Sequence, residues 1–186
     1  MVIITIGGPP GSGKSTLGRM LATRLGAPFF SMGDVRRAYA LERGMTLAEL
    51  NRRGEADPYS DTMVDEYQSK LPRQHPSFVI DSRLGYHFLP QSVKIFLKAD
   101  LRVAASRILP DKRAEEHWTN LDEGTRALQE RMRSDRARYK KYYGIDPYDE
   151  SRFDLVLDTS QLDPLAVLHE TLLFLKRSGV PVPPTK

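Results

Sequence analysis

The 186-residue sequence contains no cysteine. That excludes a disulfide scaffold, thiol catalysis and cysteine-ligated zinc or iron–sulfur centres. It also lacks any apolar segment near the roughly 20 residues that a membrane-spanning helix needs. The apolar run at residues 2–6 meets a glycine loop at once, and it has neither the charged flank nor the length of a secretory signal. The four histidines, His75, His87, His117 and His169, show no metal-ligand spacing. No internal repeat and no low-complexity tract interrupts the chain. Only residues 179–186 read as a flexible, extended tail. These absences are compatible with the reducing cytoplasm, and the expectation is a cytoplasmic protein with no membrane partner, a monomer with residues 1–178 as one domain.

Charge is nearly balanced, with 28 Lys/Arg against 24 Asp/Glu for a net +4. The excess is local. Residues 101–143 hold 11 Lys/Arg and 7 Asp/Glu, and the rest of the chain nets zero. A concentrated basic stretch asks which anion it faces.

The pattern of what is present is α/β. Short β-branched or alternating runs at residues 2–6, 28–31, 77–81, 93–98 and 153–158 read as strands. Helical spacing covers 14–25, 34–43, 46–53, 59–71, 101–109 and 122–143, and a last helix starts at Asp163 and Pro164 and stops before Gly179. Strands alternating with helices predict right-handed crossovers and a five-stranded parallel sheet covered on both faces.

Residues Gly8, Pro9, Pro10, Gly11, Ser12, Gly13, Lys14 and Ser15 fit G-x-x-x-x-G-K-[ST] at every fixed position. Glycines let consecutive backbone N–H groups turn inward around phosphate oxygens, and the helix that follows adds its N-terminal dipole. Lys14 places a point charge on the β and γ phosphates, Ser15 can ligate Mg²⁺, and Thr16 adds a further hydroxyl. The loop follows an apolar strand and opens an amphipathic helix, the context that a P-loop requires. Asp81 closes the run Phe78-Val79-Ile80-Asp81, the shape of a Walker B segment whose acid holds magnesium through a water.

The loop predicts a P-loop NTPase fold and an ATP–Mg²⁺ site, but not a reaction. No guanine-reading Asn-Lys-x-Asp tetrad occurs, and the chain is short for a large ATPase. A small-molecule kinase is the economical reading. Such an enzyme needs cations arriving from several segments to gather the charge of the moving phosphoryl group. Arg131, Asp135 and Arg138 are spaced i, i+4, i+7 and share one helix face. Forked guanidinium groups there suit phosphate, while an i,i+4 ion pair explains Asp135 nearly as well.

Several segments, taken in order, resemble the nucleoside monophosphate kinases, and most of all the short cytidylate kinases of the archaeal type. They are the glycine loop, Gly33-Asp34-Val35-Arg36-Arg37, Glu42-Arg43-Gly44-Met45, and Asp57-Pro58 with Asp61 and Asp65. Asp81-Ser82-Arg83, the run from Arg138 to Asp146, and the strand from Phe153 to Ser160 continue the series. The resemblance implies a helical monophosphate-binding segment at 34–72 and a short lid at 108–124. It implies that Asp34, Arg37 and Arg83 belong to the monophosphate site, with Arg37 and Arg83 on the acceptor phosphate and Arg36 the alternative to Arg37. It further implies that Arg131 and Arg138 reach phosphates and that Asp135 reaches the sugar. Arg107 stands at the opening of the lid, and the second lid cation is Lys112 or Arg113.

The expected reaction is phosphoryl transfer from ATP to a nucleoside monophosphate, CMP or dCMP, with Lys14, Arg107 and Arg131 as catalytic groups. Rival readings are a P-loop kinase of another acceptor, such as AMP, shikimate or a nucleoside, and a non-catalytic nucleotide- or nucleic-acid-binding protein. Leu84 stands where bacterial relatives place an Asp that helps read the base, so the base contact stays open. Trp118 either covers a ligand or is a partly exposed aromatic.

Overall fold

The computed structural model describes residues 2–111 and 118–183. Five parallel strands form one sheet: β1 (Ile3–Gly7), β2 (Phe29–Ser31), β3 (Phe78–Asp81), β4 (Val93–Lys98) and β5 (Leu155–Asp158), in the spatial order β2-β3-β1-β4-β5. β1 lies between β3 and β4, with Ile4 facing Val79 on one side and Val93 on the other. Parallel strands buried on both faces must be apolar throughout, and Ile4, Ile6, Phe78, Ile80, Ile95 and Leu97 are fully enclosed.

Among the described residues, eight α-helices surround the sheet: α1 (Lys14–Leu25), α2 (Met32–Glu42), α3 (Leu47–Ala56), α4 (Tyr59–Gln74), α5 (Gly85–Phe88), α6 (Leu101–Ile108), α7 (Leu121–Tyr143) and α8 (Pro164–Arg177). One apolar cluster joins α1 and α8 to one face through Leu17, Leu21, Val167 and Leu175. A second joins α2 and α4 to the other through Met32, Val64 and Leu71. Both faces are therefore covered, as the alternating pattern predicts.

Local chemistry sets the element ends. Thr46 and Glu49 form a reciprocal capping box at the start of α3. Asn120 caps α7, and Gly144 ends it at φ 70°, where a side chain would be strained. Asp163 caps α8 through the Ala166 N–H, with Pro164 in its first turn.

Three features differ from the sequence reading, and the packing of Trp118 bears on an alternative that it left open. α4 runs one turn past Leu71 despite Pro72, because the His75 N–H closes the turn on the Leu71 carbonyl at 2.9 Å. The four-residue α5, too short to carry a periodicity, was not expected. Trp118 packs beside Ala104, Ala105, Ile108 and Leu128, where α6 meets α7. Val180 and Val182 pack against the main core, and the Val180 N–H bonds the Leu175 carbonyl at 2.9 Å, so the expected tail begins docked. Lys112 and Arg113 of the expected lid, and residues 184–186, lie outside the described residues.

Candidate active site

Ligands of open α/β sheets sit outside the carboxyl ends of the strands. The glycine loop leaves β1 at that end and lines a cavity of about 450 Å³. Its glycines have steric reasons. A Cβ on Gly8, at φ 132°, would stand 2.0 Å from the Leu97 carbonyl oxygen; one on Gly11, at φ 76°, would stand 2.6 Å from that of Ala104. The loop is thus pressed onto β4 and α6. α1 starts at Gly13 with no side-chain cap, so its first N–H groups keep their donor capacity at the cavity.

Lys14 folds back over the loop, and its Nζ donates to the Pro9 carbonyl at 2.6 Å. Burial pulls the ammonium down to about 7; Asp81 opposes this, while Arg83 and Arg131 reinforce it. An anion placed here would restore the charge. The Ser15 hydroxyl donates to Asp81 Oδ2 at 2.5 Å. A hydroxyl beside a carboxylate is the hard oxygen set that Mg²⁺ takes together with phosphate and water, so these residues fit the ion. Among the described residues there is no cluster of three or more His, Cys, Asp or Glu side chains to offer a rival metal site.

Thr159, just past β5, braces the loop by donating to the Ser12 carbonyl at 3.1 Å. Arg107 donates to Thr159 Oγ1 at 2.9 Å and reaches the Gly11 carbonyl at 3.5 Å. The guanidinium expected at the opening of the lid is therefore tied to the base of the loop.

The opposite wall is made of side chains from distant parts of the chain. Arg36, Arg37, Arg83, Arg131 and Arg138 all line the cavity, joined by Asp61, Asp65, Asp81 and Asp135. Arg138 is 1% exposed and bridges two acids, donating to Asp61 at 2.9 and 3.0 Å and to Asp135 at 2.5 Å. Asp135 also accepts from Arg83 and, at 2.8 Å, from the Tyr148 hydroxyl. Burial works against its charge, but Arg83, Arg138 and Arg131 hold the carboxyl well below the usual range. Asp61 accepts from Arg36 as well, whose Nε donates to Asn51 at 3.1 Å.

Four of the expected residues take the following places in this arrangement. Asp34 is not among the cavity-lining residues: it is half exposed, its backbone N–H donates to the Ser31 side chain that caps α2, and its carboxylate pairs with Arg37 and Arg19. Arg37 itself lines the cavity. Asp135 makes its helix pair with Arg138 at i,i+3 and a second pair with Arg83 across the fold. Arg138 is held between the Asp61 and Asp135 carboxylates and also lines the cavity, where its Nε is buried without a hydrogen-bond partner. Arg36, the alternative to Arg37, lines the cavity too but is committed to Asp61. Asn51, Gln68 and Tyr148 escaped the sequence reading, since a lone amide or phenol carries no spacing signal.

Buried polar atoms on the cavity residues, Ser12 Oγ, Arg83 Nη2 and Arg138 Nε among them, have no hydrogen-bond partner within the described protein. These are donors suited to phosphate oxygens. A glycine loop with its lysine, a serine–aspartate pair and a converging set of arginines now share one cavity. The sequence model of the cytidylate kinase-like family matches residues 3–161.

The chain belongs to this family. A cytidylate kinase of Methanocella arvoryzae is 40% identical over 162 residues, spanning 87% of this chain and 90% of that protein. One of Methanothrix thermoacetophila is 40% identical over 171 residues, 92% of this chain and 96% of that protein. The fold is shared more widely. A shikimate kinase structure from Bacteroides thetaiotaomicron superposes with a TM-score of 0.66 at 16% identity, covering 96% of this chain and 99% of that one. The protein is a nucleoside monophosphate kinase with a P-loop core, and no helix among its described residues is long and apolar enough to cross a membrane.

Proposed function

We propose that the protein transfers the γ-phosphoryl group of ATP to CMP or dCMP, giving ADP and the diphosphate. One observation carries this reading: a single cavity holds the P-loop at one end and arginines from α2, α7 and the end of β3 at the other. That is the layout two phosphorylated substrates require if they are to meet.

Residues 8–16 receive the donor phosphates through backbone N–H groups, Lys14 and Thr16. Ser15 and, through a water, Asp81 would hold Mg²⁺, which when bound supplies positive charge on the β and γ oxygens. Arg37 and Arg83 hold the acceptor phosphate so that one of its oxygens faces the γ-phosphorus. That oxygen forms the new P–O bond as the bond to the β-phosphate oxygen breaks and ADP leaves. Arg131 sits where both phosphate groups meet, and its charge grows in value as water leaves the cavity. Arg107 fixes the loop through Thr159 and Gly11. Residues 34–72 form the acceptor-binding segment and 108–124 the lid, within one domain of 1–178. The partners are small-molecule nucleotides; the protein works as a cytoplasmic monomer.

The test is ADP release with ATP–Mg²⁺ across CMP, dCMP, UMP, AMP and shikimate. CMP or dCMP should give the highest kcat/KM. Turnover of shikimate with no turnover of any monophosphate overturns the reading.

A further inference from the structure

Four buried acids line the cavity, and three are accounted for. Asp81 faces Ser15, while Asp61 and Asp135 are salt-bridged to arginines. Asp65, on α4, is 9% exposed and makes no ion pair among the described residues. Its partners are neutral: Gln68 Nε2 donates to Oδ1 at 2.8 Å, and the Tyr143 hydroxyl donates to Oδ2. Gln68 is fixed in turn by the Ser82 hydroxyl, which donates to its Oε1 at 2.7 Å. Burying a carboxylate whose hydrogen-bond partners are neutral is expensive; burial, with the Asp61 charge, lifts this one to about 6 against the Tyr143 and Gln68 hydrogen bonds and the Arg36 charge.

A carboxylate has room for about four donors. The protein supplies Asp65 with two, so acceptor capacity remains on a group that lines the cavity. The neighbourhood narrows the choice of ligand. Lys14, Arg37 and Arg83 take the phosphates. Leu162, Pro164 and Val167 wall the far side, beyond the P-loop. The base of the acceptor is left the part between α3 and α4, where Leu47 and Val64 give apolar surface beside Asp65. The other polar groups there are paired among themselves: Arg36 with Asp61, and Asn51 with Arg36.

We propose that the Asp65 carboxylate reads the base of the acceptor by accepting a hydrogen bond from the 4-amino group of cytosine. Cytosine offers a donor at that position, whereas uracil offers an acceptor oxygen. Against a carboxylate, uracil meets lone pair with lone pair, and a pyrimidine without a 4-substituent leaves the buried acid unanswered. Gln68, Ser82 and Tyr143 position the carboxyl group, and the duty falls to α4 because Leu84 has no polar atom to offer. The proposal deepens the reading above and rests on it.

The test measures kcat/KM of the full chain for CMP, UMP and the 4-unsubstituted pyrimidin-2-one riboside monophosphate, in the wild type and in Asp65→Asn. The wild type should prefer CMP at least tenfold over both others. Asp65→Asn should narrow the CMP/UMP ratio at least tenfold, because its amide can donate to the uracil oxygen. KM for ATP should stay within about twofold. A folded variant with an unchanged CMP/UMP ratio makes Asp65 a structural anchor for Tyr143 and Gln68, and the proposal fails. If the variant does not fold, the wild type decides: equal use of CMP and the pyrimidin-2-one analogue overturns the proposal, and a tenfold preference sustains it. A wild type that turns over no monophosphate at all removes the parent reading and this one together, an outcome distinct from the other two.

Discussion

The two ends of the cavity are built on opposite principles. The P-loop end is a contiguous stretch of backbone. Its shape comes from glycines pressed against β4 and α6, its charge from N–H groups and one lysine. The arginine-rich end is assembled from side chains of five segments, and its ion pairs join residues as far apart as Asp61 and Arg138, separated by 77 positions. The first end is one run of chain between β1 and α1, braced from outside by β4, α6 and Thr159. The second exists only when α2, α4, α7 and β3 are all in place. The same fold therefore supports one end that tolerates side-chain change and another whose geometry and stability are the same interactions.

The sharpest way to break that contrast is at Asp135, which holds Arg83, Arg138 and Tyr148 at once. Removing one partner of a buried ion pair leaves an uncompensated charge and costs about 3–5 kcal/mol. Asp135→Ala should lose stability on that scale in denaturant unfolding, while the folded fraction binds an ATP analogue nearly as well as the wild type. The pH dependence has a definite sign. Because the native carboxyl is held below its ordinary value, its contribution is present above about pH 4, the unfolded value, and is lost as pH falls further. The variant should therefore show a flatter acid limb than the wild type. A loss of under 1 kcal/mol would mean that the arginine network is a solvated ornament of the site.

Lys14→Met probes the other end. Its ammonium is buried against a carbonyl rather than paired with an acid, and burial already lowers it to about 7. Deleting it removes a charge that is costly in the free protein and useful only when phosphate is present. The kcat should fall about 10²–10³-fold, the scale of one preorganised electrostatic group, or about 2.7–4 kcal/mol. The unfolding midpoint should hold steady or rise. A destabilisation comparable to that of Asp135→Ala would show that the two ends are built alike after all.

This division also governs what could be read in advance. All five strands and seven of the eight α-helices follow from periodicity and caps, and the P-loop from a spacing that has only one structural meaning. Those signals are local, so a linear reading carries them. The arginines were identifiable by type and helix face, but their partners were not. Nothing in the spacing of Arg131, Asp135 and Arg138 indicates that Asp135 binds Arg83 or that Arg138 spans to Asp61. The resemblance puts Asp34 in the monophosphate site, yet its carboxylate pairs with Arg37 and Arg19, contacts that the motif does not reveal. Asp65 is the clearest case. Its interest lies in having neutral partners, Gln68 and Tyr143, and no ion pair among the described residues, and that leaves no trace in sequence.

The mildest test takes a local motif and moves it to the assembled end. α3 carries Leu47 and Asn51 on the cavity wall and begins with the exposed Thr46–Glu49 capping box. Its other end docks on α7, where Tyr142 and Lys141 donate to the Glu55 carbonyl at 3.0 and 2.7 Å. Thr46→Ala removes one cap and should cost about 1 kcal/mol, lowering Tm by about 2–4 °C in a domain of this size. Because the α7 contacts remain, α3 should keep its place, and KM for both substrates should change less than twofold. A selective rise in the acceptor KM, with ATP unaffected, would instead show that the first turn of α3 is itself part of how the acceptor end is held. The line between local and assembled structure would then run through this helix rather than between the two ends of the cavity.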